Sequence, residues 1–273
     1  MANVVITGST RGIGLGIARE LVRRGHAVVV SGRTPEATAR AVAGLQAAGS
    51  GQVEGIACDV ARLPDVEALW AGAVARLGRV DIWLNNAGQA HETHRFWQQP
   101  PGILAPIVAT NLTGLMHGCH VAMRGMLAQQ GGPGAIYNMT GFGRTNLFQP
   151  GMAIYGATKR AVDYFSKALA KEAAGTGVIV GQVNPGMVVT DMLRQGYTTS
   201  VRNPESIRRL YNILASTPDE AAGYLVDRIL ANRQSGVLIN REPRRVVLAK
   251  LLSAPFRRVR RDVLAPQPMA KDS

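Results

Sequence analysis

The chain has 273 residues, 46% of them hydrophobic, with a mean hydropathy of +0.02 and a formal net charge of +13 at pH 7. That length suits one large α/β domain, and without an apolar run of ~18 or more residues no membrane-spanning helix is read. Cys58 and Cys119 are too few for a disulfide framework and are read as reduced, buried thiols; the start "MANVVIT" leaves no room for a secretion signal, so a cytoplasmic protein is expected.

Short β-branched runs at 3–7, 27–31, 52–59, 80–85, 135–139, 178–185 and 236–240 alternate with helical patterns at 12–24, 35–47, 64–77, 103–130, 155–174 and 217–232. Strands that alternate with helices predict right-handed β-α-β crossovers. Near-continuous apolar strands predict a sheet covered on both faces. The expectation is a single-domain, Rossmann-type doubly wound parallel sheet of about seven strands over residues 1–240, followed by a basic C-terminal extension over 241–273.

The first strand run leads into "TGSTRGIG" (7–14), with glycines at 8, 12 and 14, and then into a helical pattern. Such a loop lets backbone N–H groups and a helix N-terminus approach a pyrophosphate. Gly8, Ser9, Thr10, Arg11, Gly12, Ile13 and Gly14 are therefore assigned to dinucleotide binding. The second strand ends in "VVVSGRT", with Arg33 and no acidic residue. An acid there binds a ribose 2′-hydroxyl, whereas an Arg accommodates a 2′-phosphate, so NADPH/NADP+ is the expected cofactor, with Arg11 and Arg33 as a two-guanidinium clamp. After the third strand, Asp59 is placed to accept from an adenine amino group or to serve as a turn residue, with Val60 beside it. "NNAG" (85–88) brings Asn86, Ala87 and Gly88 to a tight strand end against the cofactor.

"YGATK" (155–159) puts Tyr155 and Lys159 on one face of a helix, four residues apart. A phenol with a pKa near ~10 is a weak acid–base at neutral pH; lowering it by ~3 units takes about 4 kcal/mol, within reach of the Lys159 ammonium and an oxidised nicotinamide together. In the reductive direction the neutral phenol gives its proton to a carbonyl oxygen. "NPGMVVT" (184–190) supplies a turn at Pro185 and Gly186, with Val188 and Thr190 as contacts for a nicotinamide amide. No metal ligands are assigned.

With these motifs in order, the chain resembles the short-chain dehydrogenase/reductase family over residues 3 to about 240. The resemblance implies that Lys159 holds the nicotinamide ribose and that Asn111, in "TNLTG", supports a water relay to it. It also implies a homodimer or homotetramer paired through helices such as 103–130 and 155–174. Within the family, "GIACDV", "IWLNNAG", "NMTGFG", "NPGMVVTDML" and "PRRVVLAKLL" are similar to the chlorophyll b reductase branch, which implies NADPH-dependent reduction of the 7-formyl group of a chlorophyll or chlorophyllide b.

One departure stands out. Most of the family carries a Ser thirteen residues before the Tyr, and that count lands on Phe142; alignment on "YNM" lands on Gly141 with Thr140 before it. Thr140, Thr145 or no residue at all takes over the carbonyl donor, at a cost of ~100- to 1,000-fold in rate if none does. Residues 191–216 follow the sixth strand and read either as a substrate lid suited to a large apolar carbonyl or as helix-packing positions. Residues 241–273 carry nine Lys/Arg against three acids, a surplus of six, with apolar residues interleaved. That segment reads as membrane-surface contact, a partner interface, a flap over the pocket or a frayed end, with no nucleic-acid partner assigned. Three functions compete: an NADPH-dependent reductase of a bulky apolar carbonyl, a reductase of some other lipid, steroid or polyketide carbonyl, and a non-catalytic NADP(H)-binding protein.

Overall fold

A computed structural model describes residues 1–145, 148–191, 193 and 204–254, with backbone only for 204–207. Its elements are β1 (Asn3–Ile6), α1 (Gly12–Arg23), β2 (Ala27–Gly32), α2 (Pro35–Gln46), β3 (Val53–Ala57), α3 (Leu63–Leu77), β4 (Ile82–Asn85), α4 (Leu104–Val108), α5 (Gly114–Ala128), β5 (Ala135–Met139), α6 (Ala153–Glu172), β6 (Ile179–Asn184), α7 (Pro204–Leu214), α8 (Pro218–Ala231), β7 (Leu238–Asn240) and α9 (Arg244–Ser253).

All seven strands are parallel, in the order β3-β2-β1-β4-β5-β6-β7. The doubly wound sheet expected from the alternation of runs is therefore present. Successive strand residues face opposite sides, so each strand feeds two cores. Val4, Ile6, Val28, Val30, Leu84 and Tyr137 pack with Ile17, Leu21, Leu225 and Val226 on the side of α1 and α8. Val5, Val29, Trp83 and Ile136 pack with Leu69, Cys119, Met126 and Val162 on the side of α3, α5 and α6. Strand order reverses between β1 and β4, which opens a crevice at their carboxyl ends, the place where open α/β sheets bind ligands.

Three details differ from the sequence expectation. The third strand stops at Ala57: Cys58 N–H still donates to Gly32 O at 2.8 Å, and Asp59 then turns the chain toward α3, its Oδ1 accepting from Ala61 N–H at 3.0 Å. The helix expected over 103–130 is interrupted by a π turn at Ala109–Thr113, a feature that recurs at functional sites. Pro101–Ala128, 28 residues with mean hydropathy 1.2, is also long and apolar enough by length and composition to cross a bilayer, contrary to the expectation that no such helix is present. In the fold its stripe of Leu115, Cys119, Ala122 and Met126 is buried against the sheet.

Candidate active site

The Gly-rich turn is bolted to the end of β4. Thr7 Oγ1 accepts from the backbone N–H groups of Asn86 (3.0 Å) and Ala87 (3.1 Å), while Asn86 Nδ2 donates to the carbonyls of Thr7 (3.0 Å) and Gly8 (2.8 Å). Gly8 has φ +61°, and a Cβ there would lie 2.7 Å from Ala87 Cα, so no other residue fits. The turn delivers Gly12 to the start of α1, whose N-terminus has no side-chain cap and no acidic residue in its first turn. Its open N–H groups and positive dipole end make an anion site, with Ile13 and Gly14 in the opening turn.

The assignment of Ser9 to cofactor binding is corrected by the geometry. Its hydroxyl is fully buried, donates to Ile6 O at 2.6 Å and accepts from Ser31 N–H at 2.9 Å; its own N–H goes to Ser31 O at 2.8 Å. Ser9 joins β1 to β2 and has no donor left. Thr10 instead packs over Gly32, where a Cβ would meet Thr10 Cγ2 at 2.5 Å. Asp59 takes the turn role: Oδ1 accepts from Ala61 N–H at 3.0 Å. Val60 is buried against Gly114, and its carbonyl lies 3.1 Å from His117 Nδ1.

Arg33 is exposed at the end of β2. Arg11 is turned instead toward Asp191, 3.0 Å away, with both side chains largely in solvent. The two-guanidinium clamp is thus not preassembled. An exposed pair of this kind is worth only ~0–1 kcal/mol, so a competing phosphate displaces it at little cost.

Tyr155 is the third residue of α6, and Lys159 lies one turn on with Nζ 5.7 Å from the phenol ring centroid. The buried Lys159 ammonium donates to Met139 O at 3.0 Å, its single protein acceptor among the described residues. A buried ammonium with donors to spare is suited to hold ribose hydroxyls. Gly88 lies beside it: a Cβ there would stand 3.9 Å from Lys159 Nζ and 3.5 Å from Asn111 Oδ1. Burial pushes the Tyr155 phenol up to about 12 and Lys159 down to about 8. Of the two cations expected together to lower the phenol, Lys159 does not do so by itself: desolvation of the phenol outweighs it. The phenol keeps its proton at neutral pH, as a donor in reduction requires.

Asn111 sits in the π turn, fully buried. Its Oδ1 accepts from Gln89 N–H (2.7 Å), and its Nδ2 donates to Gln89 O (2.9 Å) and to Thr158 Oγ1 (3.1 Å). Thr158 Oγ1 in turn donates to Tyr155 O at 2.8 Å. Asn111 thereby fixes the segment after Gly88 to the helix that carries Tyr155.

The serine question is resolved by direction. A Cβ on Gly141 would stand 3.1 Å from Tyr155 Oη, so Gly141 is the position facing the phenol. Thr140, expected as the substitute, points the other way: it is buried and its hydroxyl donates to Val183 O at 3.1 Å. Consecutive residues at a strand end face opposite sides, and this assignment is corrected.

His91 was not singled out from the sequence. Its Nε2 accepts from Tyr155 N–H at 3.4 Å, and its Nδ1 lies 2.8 Å from Glu92 O. It serves an N–H at the start of α6, whose N-cap residue Met152 makes no side-chain bond. The signal available was the unusual "HETH" immediately after "NNAGQA".

Beyond β6, the backbone of Met187 and Val189 pairs with Ser216, through Ser216 N–H to Met187 O at 2.9 Å and Val189 N–H to Ser216 O at 2.8 Å. No described residue takes the N–H or C=O of Val188, which leaves both for an amide. Pro185 and Gly186 make the turn before it, and Thr190 Oγ1 accepts weakly from Leu193 N–H at 3.4 Å. Of the segment read as a lid, 192 and 194–203 lie outside the described residues; α7 follows, with Leu214 buried and Leu210 exposed. Residues 255–273 of the basic extension also lie outside.

A glycine turn at a helix N-terminus beside the strand-order switch, a buried lysine with spare donors and a phenol on the next turn define a nicotinamide-dinucleotide-binding α/β oxidoreductase. A family model for short chain dehydrogenases matches residues 2–200. The chain belongs to the short-chain dehydrogenase family, NAD(P)-dependent enzymes that act on CH–OH and C=O groups. It is 39% identical over 238 residues to the chloroplastic chlorophyll(ide) b reductase NOL of Arabidopsis thaliana, covering 86% of this chain and 67% of that one. It is 37% identical over 275 residues to the probable chlorophyll(ide) b reductase NYC1 of Oryza sativa subsp. japonica, covering 94% of this chain and 53% of that one. The chain thus spans about half the length of the latter relative. Among solved structures, 3-ketoacyl-(acyl-carrier-protein) reductase from Brucella melitensis, complexed with NADH, superposes with a TM-score of 0.77 at 26% identity, over 89% of this chain and 97% of that one.

Proposed function

We propose that the protein is an NADPH-dependent carbonyl reductase for a bulky apolar aldehyde or ketone, with a formyl group on a chlorophyll(ide) b-like tetrapyrrole as its substrate. The observation that carries this is the Tyr155 phenol facing a residue without a side chain, Gly141. A family member with a serine there fills the space beside the phenol; this chain leaves it to the substrate. The similarity to two chlorophyll(ide) b reductases supports the tetrapyrrole reading.

Reduced nicotinamide, when bound, supplies hydride for the carbonyl carbon. Tyr155 gives its proton to the carbonyl oxygen as negative charge builds there. Lys159 holds the ribose and is then the cation nearest the phenolate left behind, which recovers its proton from solvent by way of the Asn111 turn. Val188 and Thr190 orient the amide, and the N-terminus of α1 takes the pyrophosphate. Arg33 selects the 2′-phosphate. The exposed Val108, Met116, Leu127 and Tyr164 support pairing of two copies through α4, α5 and α6. Exposed Leu248 and Leu252 beside Arg244 and Arg245 support contact of α9 with a membrane surface.

The test mixes protein, NADPH and candidate carbonyls and follows the fall in nicotinamide absorbance. Turnover with chlorophyllide b but not with simple ketones is expected. Tight NADPH binding with no turnover of any carbonyl would select the non-catalytic reading. Arg33→Asp is expected to move the NADPH-over-NADH preference by roughly 100-fold toward NADH, since a charge-assisted contact becomes a repulsion. An unchanged ratio would remove Arg33 from the phosphate site.

A further inference from the structure

The basic extension begins by holding the cofactor loop. The Glu242 carboxylate, just past β7, is buried beneath the turn after β6 and accepts the N–H of Met187 on Oε2 at 2.8 Å. Its Oε1 pairs with Lys250 Nζ of α9 and lies 3.6 Å from Arg241. Lys250 Nζ also donates to Leu214 O at 2.8 Å, the last residue of α7. Arg241 donates to Ser216 Oγ at 2.8 Å, and Ser216 is the residue whose backbone pairs with Met187 and Val189. The fit is close enough that a Cβ on Gly186, at φ +76°, would strike the Glu242 carboxylate at 2.5 Å.

Both backbone groups of Met187 are therefore committed, and the N–H of Val189 as well. The free polar edge of the loop is forced onto Val188 between them. A buried carboxylate that accepts from a backbone N–H while paired with an ammonium is strong and directional, and without the ammonium it keeps only the more distant Arg241 guanidinium at 3.6 Å.

We propose that Glu242 and Lys250 are positioning residues for the nicotinamide end of the cofactor. Together they form a latch by which α9 sets the orientation of Val188 and ties the end of α7 to the same point. The proposal rests on the reading of Pro185–Thr190 as the nicotinamide loop. It gives the first turns of the extension a role in the dinucleotide site.

The test compares two ligands on the full chain: NADPH, and 2′-phospho-ADP-ribose, which has the same adenine end but no nicotinamide. Lys250→Met is expected to weaken NADPH by about tenfold, the equivalent of ~1.4 kcal/mol, and to leave 2′-phospho-ADP-ribose within about twofold. Lys250→Arg, which keeps the ion pair, is expected to restore NADPH binding. Should Lys250→Met fail to fold, Glu242→Gln carries the same comparison, since the amide oxygen still accepts from Met187 while the ion pair is lost. Equal weakening of both ligands, or none of either, overturns the latch. If wild-type protein binds both ligands and the variants match it, the latch alone fails; if wild-type protein binds NADPH no better than 2′-phospho-ADP-ribose, the nicotinamide-site reading fails with it.

Discussion

Tyr155→Phe is expected to lower carbonyl turnover by ~10²- to 10⁴-fold, the range for a positioned general acid, while NADPH affinity by fluorescence titration stays within about twofold. The substitution removes one oxygen and keeps the ring against Lys159. The wild-type pH profile provides a companion readout. Lys159 is pushed by burial from 10.5 to about 8. In the proposed mechanism its ammonium holds ribose and favours transfer of the phenol's proton, so kcat/KM for NADPH, which reports the free enzyme, is expected to hold below pH ~8 and decline above it. Stability moves the other way. A lysine whose folded pKa lies below its unfolded value is a burden while charged, so between pH ~8 and ~10.5 the folded state gains as pH rises. A decline in rate over that window therefore does not come from Lys159-linked unfolding. Retained turnover in Tyr155→Phe would remove the phenol as the acid.

Gly141→Ser is expected to split the substrates. The new Cβ stands 3.1 Å from Tyr155 Oη, a tight contact that moves the phenol by a few tenths of an ångström at most. For a small aldehyde the added hydroxyl is a second donor to the developing oxyanion, and turnover should rise by up to about 100-fold. For a planar macrocyclic substrate the same side chain fills the entry beside the phenol, and turnover should fall by about tenfold or more. Parallel changes for both substrates would mean that the vacancy at residue 141 does not select for size.

The strands were readable because a sheet covered on both faces demands apolar runs, and the positions of Val28–Val30 or Ile82–Leu84 leave no other environment. Tyr155 and Lys159 were readable because helical spacing alone puts i and i+4 on one face. The side of a hydroxyl was not. Ser9 and Thr140 each stand one residue from the cleft, and a shift of one position at a strand end exchanges solvent for core. The serine gap was visible as a gap, but whether Phe142 or Gly141 filled it depended on the path of the chain after Met139. Partners far apart in sequence were also hidden. Glu242 reaches Met187 and Lys250 reaches Leu214, so part of the charge counted in the basic extension is spent on the interior. The Arg11–Asp191 pair joins residues 180 positions apart.

That last pair is a weak tether with a long reach along the chain. As the protein stands, the glycine turn and the chain just past Thr190 are stitched together across the mouth of the cleft. A phosphate that recruits Arg11 takes the counter-charge of Asp191, and because both side chains lie largely in solvent the exchange costs the fold almost nothing. The cleft thus holds a cation in reserve, in a contact weak enough to be given up when a stronger anion arrives.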